Sequence, residues 1–531
     1  MVPPRVIEDA FSVARARRRS AWGLRGAILA AVGSVMVSGC ALPRLEGRTV
    51  TSALPATDTS LTRAIAPGLD AHPGKTGIRA LSSPRDAFAA RGLLAAAAEH
   101  SLDVQYYIWH GDETGYLLFE ALWKAAERGV RVRLLLDDIN TKGLDPTLAA
   151  LDAHPNIEVR LYNPFAQRRA RWMSYLTDFQ RVNRRMHNKS FTVDNAVTIV
   201  GGRNVGNEYF AAGAGVAFAD LDVIAVGPVV HDVSAAFDRY WNSASAYPAT
   251  GLLPSPTTET SELLREKFAA TRADAQSVQY LNALQETPLV SELRTGQLAL
   301  EWADATLVCD DPAKTLNEAN DPHALMLTQL LAASGRPTSG FDLVSPYFVP
   351  KQEGATALGN LVGAGVRVRV LTNSFGANDV GVVHAGYSKY RKMLVRSGVQ
   401  LYELERRAGE DRSKGANVSG SSSASLHAKT FQIDGRRIFV GSFNFDPRSA
   451  TLNTEIGLMI ESPALAKQLE GAFDTELSSV AYEVRADKAG DLQWIERTAT
   501  GAVTRTTEPE TNAFGRAVIG MLSILPIDWM L

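Results

Sequence analysis

Hydrophobic and polar positions alternate in two short segments that nearly repeat each other. Residues 129–135 read Gly-Val-Arg-Val-Arg-Leu-Leu, and residues 365–371 read Gly-Val-Arg-Val-Arg-Val-Leu. Alternation with a period of two predicts a β-strand in each copy. Before each copy come an Ala/Leu-rich stretch that favours a helix, at 117–128 and 355–364, and a strand-like segment, at 102–107 and 341–346. The order strand, helix, strand predicts a parallel βαβ unit in each half of the chain.

A second pair of segments also matches. Residues 187–204 align without gaps on residues 427–444, and seven of these eighteen positions are identical: His, Lys, Phe, Asp, Val, Gly and Asn. Alternating positions followed by turn residues predict a β-hairpin in each copy. The returning strand of each hairpin then brings Asn204 or Asn444 near the histidine end.

This duplication sets the domain boundaries that the sequence predicts. A chain of 531 residues is long enough for two domains, each with its own core. The predicted parts are a targeting segment at 1–40, a polar tether at 41–75, a first half at 76–250, a connection at 251–284, a second half at 285–485 and an apolar tail at 486–531.

The first forty residues resemble a signal segment. A group of arginines precedes a short apolar stretch at 26–37, which falls short of the roughly 20 residues that a membrane-spanning helix needs. The stretch runs into Val37-Ser38-Gly39-Cys40, which resembles a bacterial lipobox, in which the cysteine becomes the lipid-modified amino terminus. An uncleaved signal anchor with an incidental Cys40 is the alternative. Both interpretations predict a membrane-anchored protein of the cell envelope whose body lies outside the cytoplasm.

Composition narrows the function classes. Hydrophobic residues at 45% and charged residues at 21% are typical of a globular protein. The net charge of −2 counts against a nucleic-acid binder, so we expect no nucleic-acid partner. Cys40 and Cys309 are the two cysteines, which excludes a disulfide framework, and neither has a neighbour at metal-ligand spacing. We therefore expect no metal site, and we interpret Cys309 as a small buried residue.

Two His-x-Lys pairs, His187 with Lys189 and His427 with Lys429, carry the predicted chemistry. The lysines supply two compact cations that hold the charged oxygens of a phosphodiester. One histidine attacks phosphorus and forms a covalent phosphohistidine, while the other protonates the departing alcohol and then deprotonates the incoming one. Because two ammonium groups neutralise the phosphate, we expect neither a divalent metal nor another cofactor.

Amides and acids complete this predicted site. Asn204 and Asn444 donate hydrogen bonds to the same phosphate oxygens. Each histidine also needs a partner on its second ring nitrogen, and the acids at equivalent positions, Asp220 and Glu455, are the best candidates. Asp222 is the runner-up in the first half.

Two further acids, Asp194 and Asp434, occupy equivalent positions in the repeats. Strand alternation aims them away from the histidines, so we assign them a structural role. Arg203 receives no role, because its counterpart Phe443 breaks the symmetry.

These motifs resemble the doubled signature of the phospholipase D superfamily, His-x-Lys-x-x-x-x-Asp followed by Gly-x-x-Asn. The signature stands here at 187–204 and again at 427–444. The resemblance covers nearly all of the chain after residue 76. Within the superfamily the chain is similar to bacterial cardiolipin synthases of the third, lipoprotein-like type, through stretches such as 102–109, 183–189 and 346–350.

The resemblance implies an α/β fold of two duplicated α/β/α halves, each a mixed β-sheet flanked by helices, with one active site at their interface. It implies a phosphatidyltransferase that passes a phosphatidyl group through a phosphohistidine to a second phospholipid. The implied substrates are phosphatidylglycerol and phosphatidylethanolamine in a membrane. The alternatives are a phospholipase D that uses water, a nuclease, and a non-catalytic lipid-binding envelope protein. His384 is left open between contact with a head group and simple packing.

Two stretches fit a lipid substrate on residue type alone. Residues 164–186 interleave arginines with aromatic and aliphatic side chains, a mixture typical of a helix at a membrane interface. An ordinary packed helix with a solvated basic face is the alternative. The stretch 514–531 is unusually apolar for a chain end and lies either on the bilayer or on the protein body.

Overall fold

Two compact units make up the chain in the computed structural model. One comprises Met1–Glu46 with Phe165–Phe179, and the other comprises Gly47–Pro164 with Gln180–Leu531. The structure describes residues 42–45, 48–212, 218–295, 298–318, 321–378, 381–405, 426–498, 500–512 and 516. The predicted targeting segment, Cys40, and the apolar stretch at 514–531 apart from Arg516 lie outside the described residues. None of the described helices is long and apolar enough to cross a bilayer.

The first half of the larger unit is built on a nine-stranded sheet. Its strands are β1 (Thr76–Leu81), β2 (Ser101–Tyr106), β3 (Arg131–Asp137), β4 (Ile157–Tyr162), β5 (Ser190–Val193), β6 (Val197–Gly201), β7 (Asp222–Val226), β8 (Ala246–Pro248) and β9 (Glu301–Ala303). They follow the order β8-β4-β3-β2-β5-β6-β7-β1-β9 across the sheet. Strands β2, β3 and β4 run parallel, and β5 pairs antiparallel with β2, so the sheet is mixed.

The second half is built on a ten-stranded sheet. Its strands are β10 (Ala305–Cys309), β11 (Gly340–Val344), β12 (Arg367–Asn373), β13 (Gln400–Leu404), β14 (Thr430–Ile433), β15 (Arg437–Gly441), β16 (Ile456–Ile460), β17 (Ala481–Ala486), β18 (Leu492–Thr498) and β19 (Gly501–Arg505). The order is β10-β16-β15-β14-β11-β12-β13-β17-β18-β19. Read from the other edge, eight strands from β17 to β10 repeat the order from β8 to β1 in the first sheet. The duplication and the parallel βαβ units are therefore confirmed.

Helices connect the strands. They are α1 (Ser60–Ala71), α2 (Pro84–Ala97), α3 (Glu113–Glu127), α4 (Asp145–Asp152), α5 (Arg171–Thr177), α6 (Phe179–Val182), α7 (Asn207–Phe210), α8 (Pro228–Trp241), α9 (Thr258–Ala273), α10 (Ala275–Gln285), α11 (Pro288–Thr295), α12 (Met326–Ser334), α13 (Lys351–Gly363), α14 (Gly381–Arg396), α15 (Pro447–Thr451), α16 (Pro463–Thr475) and α17 (Leu477–Val480). Short 3₁₀ turns lie at Asp138–Asn140, Arg168–Ala170, Ala249–Gly251, Pro312–Leu316 and Pro322–Ala324.

The glycine that opens each repeated strand segment ends the helix before it. Asp112 caps the amino terminus of α3 by accepting a hydrogen bond from the backbone N–H of Gly115. At the other end, Gly129 has a φ of 95° and Gly365, which follows α13, has a φ of 87°. Only glycine adopts this left-handed conformation without strain, so both helices stop there and the chain turns into β3 or β12.

Matching buried ion pairs join the two parallel strands at the centre of each sheet. Arg133 on β3 binds Asp103 on β2 through two hydrogen bonds of 2.6 and 2.8 Å. Arg369 on β12 binds Asp342 on β11 through two hydrogen bonds of the same lengths. Each pair occupies directly opposed positions in the strand register. A polar pair that recurs at equivalent buried positions is the three-dimensional counterpart of the sequence repeat.

One apolar cluster joins the two halves. It contains buried side chains from β6 and β7, such as Val200 and Val223, together with Val440 from β15 and Leu458 from β16. These side chains come from equivalent strands, which carry the returning arm of each predicted hairpin and the strand after it. Burial of this shared core fixes the faces of the two sheets that carry the histidine motifs against each other.

The predicted tether at 41–75 is wrong for most of its length. Residues 60–71 form helix α1, and Arg48 reaches the carboxyl end of α8, where it donates a hydrogen bond of 2.6 Å to the carbonyl of Asn242 and one of 2.9 Å to that of Ala246. A cationic side chain at a helix carboxyl terminus satisfies carbonyls that lack partners within the helix. This segment is therefore part of the first half.

The remaining boundaries also differ from the prediction. The region 251–284 contains α9 and α10, whose Leu264, Phe268 and Tyr280 join the core of the first half. Strand β9 still pairs with β1 in the first sheet, whereas β10 belongs to the second, so the chain crosses between the sheets at Asp304. At the other end, β18 and β19 extend the second sheet through residues that we assigned to the tail.

Candidate active site

His187 lies just before β5, and residues of the second half hold it there. Its backbone N–H donates to the carbonyl of Thr454 at 2.8 Å, and the N–H of Thr454 donates to the carbonyl of Arg185 at 2.9 Å. Its ring Nδ1 lies 2.8 Å from Oε2 of Glu455, which is fully buried. The acid that orients the histidine of the first half thus comes from the second half.

His427 repeats this arrangement with the halves exchanged. Its backbone N–H donates to the carbonyl of Ala219 at 2.9 Å, and its Nδ1 lies 2.6 Å from Oδ2 of Asp220 in the first half. In both cases the carboxylate fixes the proton on Nδ1, so that Nε2 carries the lone pair. The two predicted acids do contact the two predicted histidines, each across the boundary between halves.

The two lysines fold back onto the motif of which they are part. Lys189 Nζ donates to the carbonyl of His187 at 2.5 Å and stands 5.4 Å from the centre of the Tyr107 ring. Lys429 Nζ donates to the carbonyl of His427 and lies 3.0 Å from its Nδ1. Burial lowers the pKa of Lys189 well below its ordinary value, although the charge of Glu455 opposes this shift.

Each histidine is influenced by the lysines of both halves. Burial lowers the pKa of His187 well below its ordinary value, and the charges of Lys189 and Lys429 lower it further. Burial also lowers the pKa of His427 to about 4, with contributions from Lys429 and Lys189 that Asp220 partly offsets. Both shifts favour the neutral imidazole at pH 7. Electrostatic influence from both lysines on both rings indicates one site rather than two.

The two acids differ in their surroundings. Although burial opposes ionisation of Asp220, its hydrogen bond and electrostatic interaction with His427 and the positive charge of Lys429 hold the pKa of this carboxyl below its usual range. Burial raises the pKa of Glu455, and the charge of Lys189 only partly offsets that effect.

Neighbouring hydroxyl groups reduce this difference, because their hydrogen bonds to Glu455 lower its pKa. Glu455 accepts hydrogen bonds from the hydroxyl groups of Ser442 and Ser449, the latter at 2.7 Å. The position equivalent to Ser442 is Gly202, where an added Cβ would lie 2.1 Å from Oδ1 of Asp220. Gly202 in the first half therefore leaves room for the carboxylate of Asp220, whereas Ser442 in the second half donates a hydrogen bond to the carboxylate of Glu455.

The two asparagines of the signature make different contacts. Asn204 accepts a hydrogen bond from the backbone N–H of Ile108 at 3.1 Å and donates one to the Tyr209 hydroxyl at 3.1 Å. Asn444 is buried, and its Oδ1 has no hydrogen-bond partner among the described residues. The predicted donation of both amides to a phosphate stays a prediction.

Asp194 and Asp434 close the turns of the two hairpins. Asp194 accepts hydrogen bonds from the backbone N–H groups of Glu99, His100 and Ser101, which lead into β2. Asp434 accepts from the backbone of residues 338–340, which lead into β11. Although burial opposes ionisation, these backbone donors hold the pKa of Asp434 below its usual range. Both acids tie a hairpin to the neighbouring strand, which is consistent with the structural role that we assigned to them.

Asp222 and Arg203 form a buried network beside Asp220. Asp222 pairs with Arg91 at 2.9 Å and with Arg203 at 3.4 Å, and it makes no described contact with either motif histidine. Arg203 also donates to the backbone carbonyls of Leu81 and Asp220, at 2.7 and 2.6 Å. The residue that we left without a role thus positions the acid that binds His427.

Sequence reasoning missed three aromatic residues at the site. The ring centre of Tyr107 lies 4.8 Å from that of His187. Tyr209 and Phe218 flank His427, with ring centres at 5.1 and 5.4 Å. Tyr107 stands at the end of the first repeated strand, but neither repeat nor motif spacing singles out the other two.

Sequence reasoning also missed a buried pair behind Glu455. Asp310 Oδ2 accepts from Lys314 Nζ at 2.9 Å and from the backbone N–H of Glu455 at 3.0 Å. Burial raises the pKa of Asp310 to about 6. The neighbouring Cys309 is buried and unbonded to another cysteine among the described residues, and burial raises the pKa of its thiol to about 12. This agrees with a packing role for Cys309.

His384 lies in a separate buried network. Its Nε2 lies 2.6 Å from Oε1 of Glu508, and Arg391 pairs with the same carboxylate at 2.7 Å. The side chain of His384 is fully buried. Of the two interpretations of this histidine, the structure favours packing.

The arrangement has what a two-step phosphoryl transfer needs. Two neutral imidazoles are each oriented by a carboxylate, and two lysines supply positive charge to the same place. One imidazole can attack phosphorus while the other exchanges a proton with the departing and arriving oxygens. Buried cations stabilise the charge that develops on the phosphate oxygens in the transition state.

Known proteins resemble this chain over most of its length. A family profile described as "Cardiolipin synthase, PLD-like domain" matches residues 93–241 and 327–477. Cardiolipin synthase C of Escherichia coli K12 is 48% identical over 472 residues, which cover 89% of this chain and 99% of that protein. An uncharacterized protein of Helicobacter pylori strain 26695 is 30% identical over 472 residues, covering 86% of this chain and 90% of its own. Cardiolipin synthase A of Pseudomonas entomophila is 26% identical over 402 residues, covering 76% and 68%.

A solved structure shares the fold. The crystal structure of phosphatidylserine synthase from Haemophilus influenzae superposes with a TM-score of 0.52 at 14% sequence identity, covering 87% of this chain and 96% of that one. At this level of identity the match concerns the fold alone.

Proposed function

Because the chain belongs to the cardiolipin synthase family of phospholipase D-like proteins, we propose that it is a phosphatidyltransferase that joins two phospholipids through a phosphohistidine intermediate. The observation that carries this mechanism is the exchange of carboxylates, His187 with Glu455 and His427 with Asp220. This exchange supports the use of both imidazoles in a single site, because a double displacement at phosphorus requires one imidazole for each role.

In the first step, Nε2 of one histidine attacks the phosphorus of a donor phospholipid. The bond between phosphorus and the head-group oxygen breaks, and the other histidine gives its proton to that oxygen. The head-group alcohol then leaves, and the phosphatidyl group stays on the first histidine. Lys189 and Lys429 hold the non-bridging oxygens throughout.

In the second step, the other histidine, now neutral, removes the proton from a hydroxyl group of the acceptor lipid. The acceptor oxygen attacks phosphorus, the phosphorus–nitrogen bond breaks, and the first histidine is regenerated. With phosphatidylglycerol as donor and acceptor, the products are cardiolipin and glycerol. With phosphatidylethanolamine as donor and phosphatidylglycerol as acceptor, ethanolamine replaces glycerol as the leaving group.

The histidine that acts as acid must take up a proton from water as the substrate binds. Burial lowers the pKa values of both histidines, and the nearby lysines contribute to this. A bound phosphodiester brings a negative charge between those lysines and offsets their effect, which raises the pKa of the imidazole that acts as acid. Asp220 or Glu455 then stabilises the imidazolium that forms.

We further propose that the enzyme acts at the cell envelope and is anchored there through a lipid on Cys40. The support for this is the lipobox-like sequence Val37-Ser38-Gly39-Cys40 after a short apolar stretch. Mass spectrometry of the amino-terminal peptide from a membrane fraction tests it, because lipidation adds a diacylglyceryl group that Cys40→Ala abolishes.

The function is tested by product analysis with purified full-length protein. Vesicles of labelled phosphatidylglycerol, with and without phosphatidylethanolamine, should yield cardiolipin, and His187→Ala and His427→Ala should each remove all product. His231→Ala is the matched control, because His231 is exposed on α8 and should leave the rate unchanged. Phosphatidic acid as the sole product would instead establish a phospholipase D that uses water. Full activity in either histidine variant would contradict the shared site.

A further inference from the structure

The smaller compact unit contains a short helical excursion, Phe165–Phe179. It begins with the 3₁₀ turn Arg168–Ala170 and continues into α5, which ends at Thr177. Asp178 has a φ of −147° and interrupts the helix before α6 begins at Phe179. Short, broken helices of this kind do not bury an extended apolar stripe of their own.

Large apolar side chains of this excursion face solvent. Trp172 is 65% exposed, Leu176 is 77% exposed, and Tyr175 and Phe179 are each 38% exposed. Spacing of three and four residues places Trp172, Tyr175 and Leu176 on one face of α5. Eleven large apolar side chains are exposed among the described residues, and these four lie within eight positions. Single exposed apolar residues are ordinary, but a concentrated group marks an interaction surface.

Positive charge accompanies this apolar face. Arg168, Arg169 and Arg171 come immediately before it, and Asp178 is the single acid in the excursion, so the segment carries a net charge of +2. The whole chain carries −2, which makes the segment a local exception. Tryptophan and tyrosine beside arginine is the combination found where protein meets the head-group region of a bilayer.

The excursion leaves and re-enters the larger unit at one clamped point. Asn163 follows β4 and donates hydrogen bonds to the carbonyls of Arg181 at 2.8 Å and Arg184 at 2.6 Å. Arg181 in return donates to Oδ1 of Asn163 at 2.6 Å. Asn163 has a φ of 48°, a left-handed conformation that asparagine tolerates better than most residues.

This clamp is connected directly to the active site. Arg185 pairs with Asp137 at the end of β3, at 3.1 Å, and is two residues before His187. Strands β3 and β4 are parallel neighbours, so their carboxyl ends share one edge of the sheet. Tyr107, which contacts His187, follows the end of β2 at the same edge. Within the larger unit, the carboxyl ends of β2, β3 and β4 therefore lie at the sheet edge that carries the catalytic histidine.

We propose that Phe165–Phe179 is a membrane-docking segment that inserts the Trp172 and Leu176 face of α5 into a bilayer containing anionic phospholipids. This docking proposal deepens the proposed function. It rests on that function in one respect, because a phosphatidyltransferase that joins two lipids takes both from a bilayer. The arginines contact the anionic head groups, and the apolar face enters the boundary of the acyl chains.

Fluorescence of the full-length protein tests insertion without any catalytic step. The chain has eight tryptophans, and the difference in emission between wild type and Trp172→Phe isolates Trp172. Phosphatidylglycerol vesicles with brominated acyl chains should quench on the order of half of this difference signal, because an inserted indole contacts the quencher. The matched control is Trp302→Phe, because Trp302 stacks on His72 in the larger unit and its signal should not change.

Two results would overturn the proposal. The first is a Trp172 signal that brominated vesicles leave unchanged. The second is a Trp172 signal that is already shielded from aqueous acrylamide before any vesicle is added. Shielding would mean that another part of this chain, a second copy or a partner protein covers the face.

Kinetics separate docking from chemistry. The double variant Trp172→Ala/Leu176→Ala should lower transfer on vesicles at limiting lipid by about tenfold or more, because two large apolar side chains no longer insert. It should leave transfer between short-chain phospholipids below their micellar concentration unchanged. The matched control Leu263→Ala/Leu331→Ala removes two other exposed leucines, 56% and 66% exposed, and should keep the vesicle rate.

Charge reversal and the wild-type baseline complete the test. Arg168→Glu/Arg169→Glu should abolish the preference for vesicles rich in phosphatidylglycerol over neutral phosphatidylcholine vesicles. An unchanged vesicle rate in the Trp172/Leu176 variant would overturn docking while leaving the function intact. Absence of product from the wild type would instead contradict the proposed function, and quenching would still decide docking.

Discussion

Glu455 Oε2 lies 2.8 Å from His187 Nδ1, although 268 residues separate the two along the chain. The reciprocal contact joins Asp220 to His427 over 207 residues. Neither half therefore contains an oriented histidine by itself. The site exists only where both halves fold against each other around the shared core of β6, β7, β15 and β16.

Removing the charge of either orienting acid should abolish most activity without unfolding the protein. Glu455→Gln and Asp220→Asn keep the shape of the side chain but no longer favour the proton on Nδ1 or stabilise the imidazolium. We expect kcat to fall by roughly 10²–10⁴-fold with little change in KM. Glu476→Gln, at an exposed position, is the control. A loss confined to KM would mean that the acids bind substrate instead.

The unequal surroundings of the two acids lead to a second prediction. In Gly202→Ala the new Cβ would lie 2.1 Å from Oδ1 of Asp220, so the carboxylate must move away from His427. We expect kcat to fall by about 10–100-fold, since displacement of a positioned group by about 1 Å has effects of this size. Ser442→Ala removes one hydrogen bond from Glu455 and should cost about tenfold or less. A larger effect from Ser442→Ala would contradict this ranking.

The buried histidines should make stability depend on pH. The pKa of His427 is lowered in the folded state to about 4 from an ordinary value of 6.5, so the unfolded chain binds a proton between these limits and the folded chain does not. The contribution of His427 to stability should therefore be complete above about pH 6.5 and decline as pH falls toward 4. Urea unfolding at pH 7, 5.5 and 4.5 measures this decline.

His427→Asn provides the control for that measurement. It should flatten part of the decline, and the remainder belongs to groups such as His187, whose pKa is also lowered. An identical pH slope in wild type and variant would show that His427 is not buried in neutral form.

The matching ion pairs in the two sheets should contribute equally to folding. Asp103→Asn leaves the buried Arg133 with Asp238 as its remaining carboxylate partner, and Asp342→Asn leaves Arg369 with Asp474. Each should lower the free energy of unfolding by about 1–3 kcal/mol, the cost of losing hydrogen bonds to a charged group. Urea denaturation measures the loss, and the double replacement Asp103→Leu/Arg133→Met should cost less than Asp103→Asn alone, because the buried guanidinium is removed together with its buried partner, while Asp238, which also pairs with Arg133, is partly exposed to water. The opposite order would contradict this account.

The sequence predicted the local parts of the fold because their patterns are short. The glycine at 129 or 365 marks the end of a helix, and the alternation after it identifies the parallel strand that follows. The two hairpins were predicted from one gapless alignment. The same alignment identified the histidines and lysines as equivalent sets, and a separate match of 220–228 with 455–463 identified Asp220 and Glu455. The alignment could not show that each acid binds the histidine of the other half. The isolated backbone bridges that bring the halves together, Met186 with Thr454 and Ala219 with Leu426, join segments more than 200 residues apart.

The predictions were wrong or incomplete at positions whose contacts cannot be read from the composition of the surrounding sequence. Residues 48–53 look like a polar tether, yet Arg48 satisfies the carboxyl end of α8 through its guanidinium group. Strands β18 and β19 are rich in polar residues, because they extend one edge of the sheet and are mostly outside the core. Arg203 could not be assigned by comparing the repeats, since its role depends on carbonyls that only the folded backbone brings together.

The exchange of carboxylates also constrains how such a duplicated enzyme evolves. Since each half supplies the acid that serves the histidine of the other, a disabling substitution in one half damages the opposite half as well. Selection therefore acts on the two copies jointly, and neither is free to diverge toward a separate activity. Each half of the enzyme therefore depends on the other for the orientation of its histidine.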